Sequence, residues 1–185
     1  MDGAPALARA LAFALEAHGE QVRKGTDVPY VSHLLAVAGL VLEDGGGEED
    51  AIAALLHDAV EDAGGQATLA RIRREFGEGV ARVVEACSDA DVLPKPPWRG
   101  RKEAYLARLE TAPDEVLRVS LADKLHNARS IVADRRALGE AIWDRFNAPR
   151  ADQLWYYRAL ADVFARRRPG RAADELAAIV RQLVD

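Results

Sequence analysis

A chain of 185 residues has room for one substantial buried core and no need of a second domain. With 49% apolar and 30% charged residues, both signs interspersed, it has the profile of a globular protein and not of a disordered one. The formal net charge of −5 argues against a nucleic-acid surface while leaving room for a local basic pocket, and Cys87, the one cysteine, excludes an intramolecular disulfide and a thiolate zinc cluster.

Met1 to Ala12 lacks a basic region followed by an apolar core, and no stretch reaches the roughly 18 apolar residues that a membrane span needs. The expected location is therefore the cytoplasm, with neither membrane nor nucleic acid as a partner. Apolar residues recur at helical spacing along nearly the whole chain, and β-branched residues never gather into alternating runs. The spacing predicts an all-α fold, a single domain over 1–185 made of about nine or ten helices.

The first predicted helix carries Leu7, Leu11, Ala14, Leu15 and His18 on one face, with Pro5 in its first turn and Gly19 as its stop. Gly25 to Tyr30 reads as a loop, and Ser32 as the N-cap of a helix bearing His33, Leu34, Val37, Ala38 and Val41. Gly45-Gly46-Gly47 breaks that helix, and a third runs from Glu48 to Asp62, acidic at its start and apolar from Ala51 to Leu56. Thr68 caps a fourth that ends at Phe76, and Val80 to Cys87 forms the next amphipathic piece. Asp89 to Gly100, with Pro94, Pro96 and Pro97, is the long irregular stretch and the candidate substrate lid. Helices are expected again over Arg101–Glu110, Pro113–Ala133, Arg136–Phe146, Pro149–Arg167 and from Ala172 onward.

Chemistry concentrates in Leu55-Leu56-His57-Asp58-Ala59-Val60-Glu61-Asp62, where four ionisable residues follow an apolar run. His57 and Glu61 are four apart, as are Asp58 and Asp62, so a helix would present two neighbouring stripes to one pocket. Imidazole and carboxylate together suit a hard or borderline divalent ion. Two ligands do not complete a site, and His33 and Asp123 are the best candidates from other helices. On spacing alone two readings stand: a metal centre of His33, His57, Asp58 and Asp123, or hydrogen-bonded core histidines beside a solvated helix end.

Three ordered segments resemble the HD hydrolase domain of the RelA/SpoT alarmone enzymes and their stand-alone relatives. They are Arg23-Lys24-Gly25-Thr26 through Tyr30-Val31-Ser32-His33, then Ala54-Leu55-Leu56-His57-Asp58-Ala59-Val60-Glu61-Asp62, then Leu121-Ala122-Asp123-Lys124-Leu125-His126-Asn127. With Phe76-Gly77 and Leu93-Pro94-Lys95 the likeness covers about Leu7 to Ile131, and helices over 132–185 would complete the bundle. Leu34 and Ser120 stand where that family commonly has proline and lysine.

The resemblance implies one divalent ion, usually manganese, on His33, His57, Asp58 and Asp123, with Glu61 and Asp62 as the catalytic acidic pair. It implies Arg23, Lys24, Lys95 and Asn127 as contacts to a small-molecule nucleotide, and Arg150 is a further phosphate candidate. The implied reaction is hydrolysis of the 3′-diphosphate of ppGpp or pppGpp, releasing pyrophosphate. The same chemistry on an adenosine alarmone or NADPH is the alternative, with Trp98 a candidate to stack on the base. A non-catalytic nucleotide-binding module would call for loss of a ligand or of the acidic pair, and all six residues are present.

Overall fold

The longest helix organises the rest. In the computed structural model, which describes residues 4–88 and 96–184, helix α8 (Asp114–Leu138) is buried on opposite faces at once. Val116, Val119 and Ala122 join one hydrophobic cluster, and Leu117, Leu121, Leu125, Ala128 and Ile131 join another. A helix that buries apolar residues on two opposite faces belongs between the two halves of a bundle, with its polar residues on the stripes left between them.

The first cluster is built by α1 (Ala6–His18), α2 (Val31–Glu43), α3 (Glu48–Leu56), α4 (Ala59–Asp62), α5 (Gln66–Phe76) and α6 (Glu78–Cys87). The second is built by α7 (Trp98–Leu109), α9 (Arg150–Arg167) and α10 (Arg171–Val184), with a 3-10 helix (Gly139–Arg145) between α8 and α9. Half-buried ion pairs lace the two halves together. Arg168 reaches Asp44 at the end of α2 (2.5 Å) and Asp114 at the start of α8, and Arg118 pairs with Asp50 (2.6 Å) and Asp114 (2.8 Å). Among the described residues there is no strand, only an isolated antiparallel bridge between Val22 and Pro29, and no helix long and apolar enough to cross a membrane.

Several boundaries differ from the sequence expectation for local physical reasons. Helix α2 starts at Val31, and Ser32 does not cap it: Tyr30 is the N-cap, and the Ser32 amide is bonded to the Pro29 carbonyl. Thr68 lies inside α5, whose N-cap is Gly65, and its hydroxyl turns back to the Ala63 carbonyl. Trp98 to Gly100 are already helical, so α7 begins earlier than expected. Helix α8 runs on to Leu138, where Gly139 (φ 63°) stops it in the left-handed region and a 3-10 helix takes the place of the expected α-helix. The proline-rich candidate lid, with Lys95, lies outside the described residues over 89–95.

The most consequential difference is in the third helix. The expected single helix to Asp62 is divided: α3 ends at Leu56, α4 begins at Ala59, and His57-Asp58 form the turn between them. Asp58 adopts φ −97°, ψ −7°, in the sparsely occupied bridge region.

Core packing predicts a sharp contrast in stability. Phe164 is wholly buried in the second cluster, and Phe164→Ala should cost about 3–5 kcal/mol in urea unfolding. Arg74→Ala on the exposed face of α5 should stay within about 0.5 kcal/mol of the parent. Equal costs for the two variants would contradict this description of the core.

Candidate metal centre and cationic cavity

The turn at His57-Asp58 meets α2 and α8, and four side chains converge there. His33 and His57 Nε2 and an Asp58 carboxylate oxygen lie within 4.8 Å of one another. The fourth, Asp123 Oδ1, lies 3.2 Å from His33 Nε2 and 3.7 Å from His57 Nε2. It is less open than Asp58, since Asn127 Nδ2 donates to Oδ1 (2.6 Å) and Lys124 Nζ to Oδ2 (2.5 Å). Asp58 Oδ2 sits 3.0 Å from His57 Nε2 and 3.7 Å from His33 Nε2, and accepts the Tyr30 hydroxyl at 2.6 Å.

These approaches are close but poorly aligned. Neither buried Nε2 makes a hydrogen bond of acceptable geometry among the described residues, which is costly at such depth. The other ring nitrogens are held: His57 Nδ1 meets the Ala54 carbonyl at 2.8 Å, and His33 Nδ1 meets His126 Nδ1 at 2.8 Å. An imidazole anchored through Nδ1 aims its Nε2 lone pair outward, as metal-ligating histidines do. Two nitrogens and two carboxylates around one point fit a divalent ion better than a hydrogen-bonded cluster.

The electrostatics follow from burial and company. Burial pushes each of the four groups toward its neutral form, and for His33 it prevails, so that this imidazole is less basic than usual. For His57 it is outweighed by Asp58 and Asp123, which raise the imidazole well above the ordinary range. Asp58 is held below the usual carboxylate range against burial, chiefly by His57, and Asp123 likewise, chiefly by Lys124 and then by the two histidines. His126 is pushed down to about 4 by burial, His33 and Arg23, which makes it a neutral brace near pH 7.

The acidic pair separates. Glu61 lines the cavity that opens beside this cluster. Asp62 instead turns toward the end of α1, accepting from Gln21 Nε2 at 3.0 Å with His18 Nδ1 at 3.9 Å. Gln21 is in turn bonded to His18, which stacks on Tyr30.

The cavity holds about 650 Å³, a common size for a small-molecule site. Among the described residues, six basic ones, Arg23, Lys24, Arg101, Lys102, Lys124 and Arg145, line it against two acids, Glu61 and Asp134. Arg23 and Lys24 are presented by a tight turn in which the Thr26 amide bonds the Arg23 carbonyl (3.0 Å) and Gly25 takes φ 72°. Arg23 donates to Asn127 Oδ1 (2.8 Å) and Lys24 to Asn147 Oδ1 (2.8 Å). Arg150 is not brought to the cavity: its Nε pairs with Glu140 at 3.2 Å, and the guanidinium lies 5.8 Å from the centre of the Trp143 ring. Trp98 forms part of the wall and meets Tyr156 edge-on, with ring centres 5.9 Å apart.

Sequence reasoning passed over Tyr30, Lys124 and His126, although all three lie within the quoted motifs, and it passed over Gln21, Arg101, Lys102 and Arg145. The Arg101-Lys102 pair at the start of a helix was a readable signal. Arg145, at the end of a 3-10 helix, was not.

Comparison with known proteins agrees with this geometry. A family model described as HD domain matches residues 10–153. A Xenopus tropicalis protein named guanosine-3′,5′-bis(diphosphate) 3′-pyrophosphohydrolase MESH1 is 38% identical over 122 residues, 64% of this chain and 65% of that one. The human protein of the same name is 35% identical over 128 residues, 68% of this chain and 69% of that one. Larger relatives are matched over a smaller share, as in the Synechocystis sp. probable pyrophosphohydrolase, 33% identical with 20% of its length covered. Among solved structures, one described as a metazoan orthologue of SpoT that hydrolyses ppGpp superposes with a TM-score of 0.79 at 22% identity, covering 98% of this chain and 97% of that one. A Listeria monocytogenes protein superposes with a TM-score of 0.73 at 31% identity, covering 82% of this chain and 97% of its own. On the extent of the family match, the chain belongs to the HD domain family.

Proposed function

We propose that this protein is a metal-dependent hydrolase of guanosine 3′-diphosphate alarmones, converting ppGpp or pppGpp to pyrophosphate and GDP or GTP. The observation that carries the reading is the adjacency of a histidine and carboxylate cluster suited to one divalent ion with a strongly cationic cavity of nucleotide size. The names of the Xenopus and human relatives support it. The lone Cys87 fits a reducing cytoplasm.

His33, His57, Asp58 and Asp123 would hold the ion, and manganese is the metal we assign. When bound, it supplies positive charge that polarises a water and neutralises a phosphoryl oxygen. A water oxygen bonds to the phosphorus carried on the ribose 3′ oxygen, the bond from that phosphorus to O3′ breaks, and O3′ takes up a proton as pyrophosphate departs. Glu61, on the cavity wall, is positioned to receive the proton of the attacking water. Asp62, which faces α1 and accepts from Gln21, acts from behind the site by holding the Gln21–His18 pair on which Tyr30 stacks, while the Tyr30 hydroxyl donates to Asp58. Arg23, Lys24 and Lys124 stabilise the developing phosphoryl charge, and Asn127 bridges Arg23 to Asp123, tying the phosphate cradle to the metal cluster.

Manganese-loaded protein should convert ppGpp to GDP and pyrophosphate, resolved by anion-exchange chromatography beside ppApp and NADPH. No turnover of any of the three would end the enzymatic reading. His57→Ala and Asp58→Ala should each lower activity more than about a hundredfold and abolish manganese binding in calorimetry, while the helical circular dichroism is retained. Metal affinity should also depend on pH, because His57 holds a proton tightly in the metal-free protein and the ion must displace it. Apparent affinity should therefore fall by about tenfold per unit as pH drops below the His57 titration, and level off above it. A pH-independent affinity would remove His57 from the ligand set.

A further inference from the structure

Asp134 is out of place. Among the described residues, a cavity shaped to attract phosphates has six cations and two acids on its wall, and one of the acids, Glu61, lies beside the candidate metal cluster, where an attacking water needs a base. The second acid is neutralised by Arg145 and takes that cation out of the phosphate-binding set; a fixed ion pair of this kind suits an uncharged polar edge of a ligand, which in a nucleotide is the base.

Its position agrees. Asp123, Asn127, Ser130 and Asp134 follow one another at spacings of three or four along α8, which puts them on one stripe, with Asn127, Ser130 and Asp134 all lining the cavity. At the helical rise, Asp134 stands roughly 16 Å along the axis from the metal end, beyond Asn127 and Ser130. Ile131, one turn before it on α8, also lines the cavity, as do Ile142 and Phe146 on either side of Arg145 in sequence, and of these Phe146 keeps an exposed face against which a flat ring could pack. Arg145 is fixed beside it: Nη1 donates to Asp134 Oδ2 at 2.6 Å, and its stem packs so closely on Gly25 that a Cβ there would lie 2.7 Å from Cδ and Nε.

We propose that Asp134 and Arg145 form a guanine-reading pair at the far end of the cavity. Guanine presents two adjacent donors, N1–H and the N2 amine, flanked by the acceptor O6, with N7 beyond. A carboxylate has capacity for both donors after accepting from Arg145, and the guanidinium keeps donors to spare for O6. Adenine reverses the order, placing its N1 lone pair against the carboxylate. The proposal rests on the nucleotide reading given above and assigns its base specificity to two residues in fixed mutual contact.

The test is binding of GDP, IDP and ADP, followed by calorimetry without turnover. The parent protein should bind GDP about tenfold tighter than IDP, which lacks the N2 amine, and tighter still than ADP. In Asp134→Asn the GDP preference over IDP should shrink to within about twofold and ADP should gain relative to both, since an amide offers a donor as well as an acceptor. Equal affinity of the parent for the three nucleotides, or an equal loss for all three in the variant, would overturn the base-reading role. Hydrolysis separates this inference from the reaction. A guanine preference without any turnover of ppGpp would remove the reaction and keep the reading pair; turnover of ppGpp and ppApp at equal kcat/KM would do the reverse.

Discussion

The constraint on which the structure depends is the burial of Asp123. The middle of α8 is enclosed by both hydrophobic clusters, and a carboxylate there loses nearly all contact with water. An uncompensated charge at that depth would destabilise the fold by several kcal/mol, so its neighbours have to be chosen for it. Lys124, Asn127, His33 and His57 all turn toward it. Two of these bring the α2 start and the α3–α4 turn to the same point. The site and the packing of three elements are therefore a single electrostatic arrangement.

The break between α3 and α4 answers the same demand. Successive side chains in a helix project about 100° apart, so His57 and Asp58 must reach toward each other through their side-chain torsions. Here both residues keep right-handed helical dihedrals, with Asp58 relaxed to φ −97°, ψ −7°; His57 Nε2 lies 3.0 Å from Asp58 Oδ2, and the His57 ring is fastened to the Ala54 carbonyl one turn back. Glu61 and Asp62 then emerge on a separate short helix with different facings, one to the cavity and one to α1.

This explains what was legible in the sequence. The apolar run Ala51–Leu56 announced a central segment and is buried throughout. The residue types of the candidate metal cluster, His33, His57, Asp58 and Asp123, could be picked out because hard-ion chemistry needs His and carboxylate, and the structure brings them together. The turn at His57-Asp58 could not, because Asp58-Ala59-Val60-Glu61 keeps a helical pattern and only the tertiary contacts of both side chains break it. Arg150 was misplaced for a similar reason: a basic residue at a helix start has no sequence mark to distinguish a cavity wall from a partnership with Glu140. The two departures from the family pattern are packing choices. Leu34 is fully buried in the first cluster, and Ser120, also buried, accepts the Tyr105 hydroxyl at 2.9 Å, a position with no room for a solvated ammonium.

The charge distribution completes the argument. The chain as a whole is acidic, yet among the described residues its cavity is lined by three times as many cations as carboxylates. Concave walls of low polarisability focus the field of those cations inward, while beyond a Debye length of about 8 Å the acidic exterior governs what approaches. A small polyanion can enter and place all of its charge inside. The placement of charge alone thus favours a small anion in this cavity, whatever further contacts it makes.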